Sequence, residues 1–199
     1  MNHLSSYAEL SNAYYVMRHG QSLGNQQGII VSHPANGCSG FGLSERGREQ
    51  VRASLQQDEL LDAATLIVSS DFRRAHESAG IVHALLDCRS PLQSDERLRE
   101  RCFGELELGP DSAYDEVWQQ DEIDPEGAYR AVEGVNQVMS RVTELIVDLE
   151  RRFVDTNLLL VSHGDALQIL QTAFAGLDAS THRQLHHLET AEIRRLRLA

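Results

Sequence analysis

The chain has 199 residues and no lysine: all 18 of its basic residues are arginine. A Schiff-base lysine and a Walker-type phosphate-binding lysine are thereby excluded. Any anion site must be built from arginine, histidine and backbone N–H groups, and arginine is the better tool for a planar, bidentate grip on phosphate or carboxylate. Cysteine is scarce. Cys38, Cys88 and Cys102 are odd in number and form no C-x-x-C pair, which reads as free thiols in a reducing compartment. No apolar run approaches the ~20 residues that span a bilayer. The opening MNHLSSYAEL has neither the basic nor the apolar region of a secretory signal, so a cytoplasmic protein is expected. The four prolines and fourteen glycines mark no linker, and no repeat or low-complexity tract occurs. Positive charge is also short. The net charge of −12 argues against nucleic acid and anionic membrane as partners.

What is present suits one compact domain over residues 1–199, since the length and the 41% hydrophobic content allow a sizeable core. Three short apolar runs, AYYVM (13–17), ATLIV (64–68) and NLLLV (157–161), lack polar alternation. That is how strands buried on both faces read. Helical patterns lie between them. Ser44 can cap a helix reaching about Leu61, with Val51, Leu55 and Leu60 inward. Residues 72–86 space Ala75, Ala79, Val82 and Leu86 as a helix, and residues 134–153 do the same with Val135, Val138, Val142, Leu145, Ile146 and Leu149. A shorter helix should follow Gly164, and the tail AEIRRLRL alternates enough for an edge strand. Strands alternating with helices predict a three-layer α/β/α domain with a mostly parallel sheet. Residues 24–42 read as a long irregular loop of the functional kind. Residues 100–130 read as an acidic, cap-like insertion over one face, with one short helix near YDEVWQQ.

The ends of the three apolar runs carry the chemistry. The first stops at Arg18-His19-Gly20, the second at Ser69-Ser70-Asp71-Phe72-Arg73-Arg74, the third at Ser162-His163-Gly164. Open α/β sheets bind ligands outside the carboxyl ends of their strands, so two histidines and at least two arginines should gather on one edge. A glycine after each histidine permits close backbone approach and unusual dihedrals. The expected result is a donor-rich anion pocket in which one imidazole can attack and the other donate.

RHGQSLGN (18–25) resembles the signature of the histidine phosphatase superfamily, which contains the cofactor-dependent phosphoglycerate mutases. LSERGREQ (43–50), SSDFRRAHESA (69–79), ERCFGELE (100–107) and VSHG (161–164) resemble the family's further motifs, in the family's order. The resemblance implies a phosphoglycerate mutase-like fold, with His19 as the nucleophile that takes the phosphoryl group. It implies a phosphate clamp of Arg18, Arg74 and His163, helped by Asn25 and the backbone at Gly164, and Glu100 as general acid and base. Arg74, not Arg73, is selected because the pattern places its arginine directly before Ala75. There are departures: Gly40 and Gly42 stand where the family often has Asp and Pro, and Asp71 stands where it has Pro. The mutases also hold the substrate carboxylate with a lysine and paired arginines in the insertion; here there is no lysine, and no Arg-Arg pair within 102–129.

The chemistry agrees with the resemblance. Hydrolysis of a phosphomonoester needs charge stabilisation on the equatorial oxygens, which arginine forks supply. A neutral imidazole can hold the phosphoryl group covalently, and a carboxyl of raised pKa can protonate the leaving oxygen. Neither a metal nor a cofactor is expected. The acidic run from Asp111 to Asp124 lacks EF-hand spacing and reads as a solvated face. His182 and His186, four apart, lack further ligands at metal spacing. Glu105 and Glu107 are rivals to Glu100 for the acid. His33 lies in the long loop, within reach of a substrate. His76 and His83 read as helix surface, and Tyr14, Tyr15 and Trp118 as packing rather than a binding platform. The expected function is metal-independent hydrolysis of a small phosphorylated metabolite through phosphohistidine. The alternatives are mutase-type phosphoryl transfer and a phosphate-binding or interaction module of weak activity. The substrate and the oligomeric state are left open.

Overall fold

The structure is a computed structural model that describes residues 1–56, 60–127 and 129–199. Among these residues a five-stranded sheet is built from β1 (Ala13–Arg18), β2 (Leu66–Ser69), β3 (Gln93–Ser94), β4 (Asn157–Ser162) and β5 (Ile193–Leu196), in the order β3-β2-β4-β1-β5. All pairings are parallel except β1 with β5, which is antiparallel and closes one edge. The three apolar runs are the three inner strands. They are buried on both faces because helices cover both, giving the three-layer α/β/α arrangement.

Alternation along the strands sorts the side chains into two cores. Tyr14, Val16, Leu66, Val68, Leu158 and Leu160 face α6 (Val135–Arg152) and α7 (Gly164–Phe174). Tyr15, Met17, Ile67, Leu159 and Val161 face α3 (Glu45–Gln56) and α4 (Arg73–Leu85). The stripe on α6 is the one its spacing predicts: Val135, Val138, Val142, Leu145, Ile146 and Leu149 are all buried. Ser44 caps α3 by accepting the Gly47 N–H at 3.1 Å.

Several expectations are corrected. The helix after Ser44 is described as far as Gln56 and does not include Leu60 or Leu61; residues 57–59 lie outside the described residues, and Leu60 is exposed rather than inward. The 24–42 segment is not wholly irregular. It holds two short helical turns, α1 (Leu23–Gln27) and α2 (Pro34–Gly37), each stopped within a few residues. The strand β3 has two residues, too few to show a period.

The 24–42 segment and the insertion between β3 and α6 pack on each other above the carboxyl ends of the strands. Ile30 exchanges backbone hydrogen bonds with Leu108 and Gly109, and the Asp111 N–H reaches Gly28 O at 2.9 Å. Ile30 also joins Phe103, Leu106, Val117 and Val132 in a third small core, with Val117 carried by α5 (Tyr114–Asp121). Gly104, at φ +51°, lets the insertion turn tightly: a Cβ there would lie 2.4 Å from the carbonyls of Arg130 and Ala131.

Candidate active site

β1 and β4 are parallel and in register, with Arg18 opposite Ser162. The residues that follow, His19 and His163, therefore leave neighbouring strands at the same level. Their ring centroids lie 5.1 Å apart, close to the ~4.8 Å strand spacing that sets them. β2 ends beside them, so Ser70 and the first turn of α4 supply the third side, including Arg74. His19, His163 and Arg74 are buried, whereas Arg73 is exposed and paired with Glu77.

The two glycines after the histidines differ. A Cβ on Gly20 would sit 2.4 Å from the Gly47 carbonyl oxygen, so this backbone approach requires glycine. At Gly164 the nearest atoms are those of the Arg18 guanidinium at 3.7 Å, an ordinary contact, and φ is not in the left-handed region. The expectation of unusual dihedrals holds at neither glycine, and that of a close backbone approach holds at Gly20 alone.

His19 is held in one tautomer. Its Nδ1 lies 2.7 Å from Gly20 O, which can only accept, so Nδ1 carries the hydrogen and Nε2 keeps a lone pair. Arg74 Nε–H donates to that Nε2 at 3.0 Å, and Arg74 Nη2 donates to Val31 O at 2.9 Å. Burial, then the charges of Arg74 and Arg18, hold the imidazole well below its ordinary pKa, and so neutral. His163 is likewise held low, by burial first and by Arg74 next. Its Nε2 meets Ser70 Oγ at 2.9 Å. Ser70 Oγ already accepts the Phe72 N–H, and donating its own hydrogen to Nε2 puts the His163 hydrogen on Nδ1.

The polar accounting around this cluster does not close. Among the described residues, Arg18 Nε, Arg74 Nη1 and His163 Nδ1 are buried without a hydrogen-bond partner, as is the more distant His182 Nε2. Neither Arg18 nor Arg74 forms an ion pair with a described carboxylate. Buried polar groups are normally satisfied, and a buried cation without a counter-charge is costly. Unspent donors and positive charge at one point are what a bound dianion would use.

A cavity of about 330 Å³ opens here, lined by Arg18, His19, Asn25, Arg74, Glu100 and Gly164 among others. His163 is fully buried beside His19 and is not part of the lining. Asn25 Oδ1 accepts from Ser22 N and Oγ in the capping box of α1, and among the described residues its Nδ2 meets no acceptor. Arg18 is anchored by Nη1 donating to Leu188 O at 3.0 Å.

Glu100 stands at the N-terminus of α7. Its Oε1 accepts the N–H groups of Arg101 at 2.9 Å and Ala166 at 3.3 Å, while Oε2 makes no hydrogen bond to a described residue. Burial raises its pKa most and the charge of Asp165 adds to that, against the pull of Arg74 and the two N–H groups. Its rivals are placed otherwise. Glu105 is exposed near Arg130. Burial pushes the pKa of Glu107 up, but hydrogen bonds from Ser32 and Asn36 outweigh it and hold this carboxylate below its ordinary value.

The remaining readings fare unevenly. Trp118 lines the cavity, with Tyr114 stacked on it at 5.5 Å and the Arg183 guanidinium 3.7 Å from its ring centroid. The stacking on Tyr114 is the packing expected of it, and the short helix α5 also turns this i and i+4 aromatic pair to the cavity. His33 caps α2 through the Ala35 N–H and does not line the cavity. His182 and His186 do not share a helix, because the short 3-10 segment ends at Gln184. Asp165, Arg183 and His187 also line the cavity, and sequence reasoning missed them. Asp165 adjoins the VSHG motif, a signal that could have found it. Arg183 and His187 carried no signal, since a turn brings them back from beyond α7. No helix among the described residues is long and apolar enough to cross a membrane, and no three His, Cys, Asp or Glu side chains converge as metal ligands among them.

A mostly parallel sheet with paired strand-end histidines and a cation-rich cavity defines a phosphoglycerate mutase-like α/β protein. The chain belongs to the histidine phosphatase superfamily (branch 1), whose family model matches residues 14–199. It is 30% identical over 176 residues to "Probable phosphoglycerate mutase GpmB" of Photorhabdus laumondii, covering 86% of this chain and 78% of that one. The protein of the same name in Erwinia tasmaniensis shows the same identity and coverage. The fold is also that of a mycobacterial glucosyl-3-phosphoglycerate phosphatase, with a TM-score of 0.74, 24% identity, and 92% of this chain covering 88% of that one.

Proposed function

We propose that the protein is a metal-independent phosphomonoester hydrolase that acts through phospho-His19 on a small phosphorylated metabolite of the cytoplasm. The observation that carries this reading is the neutral His19, its Nε2 lone pair beside two uncompensated arginines and the carboxyl of Glu100 in one cavity. Arg74 Nε–H turns from His19 Nε2 to a phosphoryl oxygen as substrate binds, and the freed Nε2 lone pair attacks phosphorus. The N–P bond forms, the P–O bond to the substrate breaks, and Glu100 gives its proton to the leaving oxygen. Arg18, Arg74 and His163 Nδ1–H hold the phosphoryl oxygens, with Asn25 and the Gly164 backbone at the rim. Glu100, now a carboxylate, takes a proton from water as its oxygen attacks phosphorus, and the N–P bond breaks with its electrons returning to Nε2.

A second reading has its own support. Two relatives are named as probable phosphoglycerate mutases, and Arg183 puts into the cavity a cation that residues 102–129 do not offer. The experiment that decides measures phosphate release from a panel of phosphomonoesters in EDTA, beside interconversion of 3- and 2-phosphoglycerate primed with 2,3-bisphosphoglycerate. Hydrolysis without interconversion supports the phosphatase. Interconversion faster than phosphate release supports the mutase, and activity restored only by added metal overturns metal independence.

A further inference from the structure

Glu100 shares the N-terminal turn of α7 with a second carboxylate. Asp165 is 4% exposed and lines the same cavity. All its partners are donors: Trp118 Nε1–H lies 3.1 Å from both oxygens, Arg101 Nη1 is 3.5 Å from Oδ2, and Arg183 Nη1 is 3.8 Å from Oδ1. Arg101 joins the two acids. Its backbone N–H holds Glu100, while its fully buried guanidinium touches Asp165 and is forked onto Asp121 at 2.6 Å. The Ala166 N–H, one residue past Asp165, holds the same oxygen of Glu100.

We propose that Asp165 is a positioning residue which, held as an acceptor by Trp118, Arg101 and Arg183, keeps the transferable proton on Glu100. A negative charge held by donors beside a buried carboxyl disfavours loss of that carboxyl's proton. Asp165 has an indole N–H and two guanidinium groups; Glu100 has two backbone N–H groups. The other charged or titratable groups that share the cavity with Glu100 are Arg18 and His19 at the end of β1, Arg74 from α4, Tyr114 from α5, and Arg183 and His187 from beyond α7, while Arg141 from α6 holds its backbone oxygen. Arg18 and Arg74 favour loss of the proton, so a countering negative charge is needed for Glu100 to serve as an acid near neutrality. Burial and the Asp165 charge do raise its pKa. The inference rests on Glu100 being the acid.

The test is the pH profile of kcat/KM with an alkyl phosphate and with p-nitrophenyl phosphate. A protonated Glu100 is required for the alkyl leaving group, so the rate falls as pH rises through its pKa. Asp165→Asn keeps the shape and removes the charge. It should move that alkaline limb down by about one pH unit, a ~10-fold loss on the alkaline side for the alkyl phosphate and little for p-nitrophenyl phosphate. Equal losses with both substrates and an unmoved limb would mean a merely structural role and overturn the proposal. If Asp165→Asn does not fold, Asp165→Glu carries the test. Its charge is retained, so the limb should stay near the wild-type position, and a limb displaced downward by a unit refutes the idea. Glu100→Gln is measured alongside. It must abolish the limb; a limb that survives removes Glu100 as the acid and the inference with it, whereas a limb abolished there but unmoved in Asp165→Asn defeats only the inference.

Discussion

Arg74 offers the sharpest separation of function from stability. It is buried, forms no ion pair with a described carboxylate, and spends its donors on His19 Nε2 and Val31 O while Nη1 stays unpartnered. Replacing it by alanine removes a desolvated cation rather than breaking a salt bridge, and the cavity beside it admits water to the two groups left behind. The apparent Tm of Arg74→Ala should therefore equal or exceed that of the wild type, the pattern of a site that sacrifices stability for activity. Turnover should collapse. Losing one donor aimed at transition-state charge costs ~10²–10³-fold in kcat, and Arg74→Lys should rescue little, because an ammonium cannot present the parallel donors of the guanidinium fork to the phosphoryl oxygens. The acid limb should move as well. The nucleophile must be neutral, so activity is lost as pH falls through the His19 pKa; burial and then the Arg74 charge hold that pKa low, and its removal shifts the limb upward. Ligand-linked stability gives a further assay. Vanadate or phosphate at 100 times its Kd stabilises a folded protein by about 2.7 kcal/mol. For a chain of this size that raises Tm by about 5–10 °C, and the shift should vanish in Arg74→Ala. A variant several degrees less stable that still binds vanadate and turns over within tenfold of wild type would refute the reasoning.

Rapid quench with a labelled substrate should trap an acid-labile, alkali-stable phosphoprotein, and His19→Ala should lose the label; label retained there ends the assignment. Glu100→Gln should slow phosphoenzyme formation from an alkyl phosphate by ~10²–10⁴-fold and from p-nitrophenyl phosphate far less, as read by single-turnover kinetics. Arg73→Ala should stay near wild-type turnover, since its partners are Glu77 and Ser39 O at the surface. Gly20→Ala must force β1 and α3 apart, because its Cβ meets the Gly47 carbonyl at 2.4 Å. A loss of about 1–3 kcal/mol in denaturant unfolding is expected, with reduced kcat because His19 moves.

The inner strands and the four long helices were legible because burial on both sheet faces and on one helix face imposes composition and period directly. The strand-end rule then placed His19, Arg74 and His163 on one edge before any contact was known. The neighbour of each strand was not legible. No local pattern says that β4 lies between β2 and β1, and only that order, with Arg18 in register with Ser162, brings the two histidine rings to 5.1 Å. Nor does any period mark residues 93–94 as a strand. The cavity itself arises from non-local packing of the 24–42 segment on the insertion, with Arg183 and His187 returning from beyond α7. Residue type and spacing along the chain decided which groups could do the chemistry. The tautomer of His19, the unspent donors of Arg18 and Arg74, and the meeting of Glu100 and Asp165 in one cavity depend on burial and on distances between segments far apart in sequence, and those quantities exist only once the chain has folded.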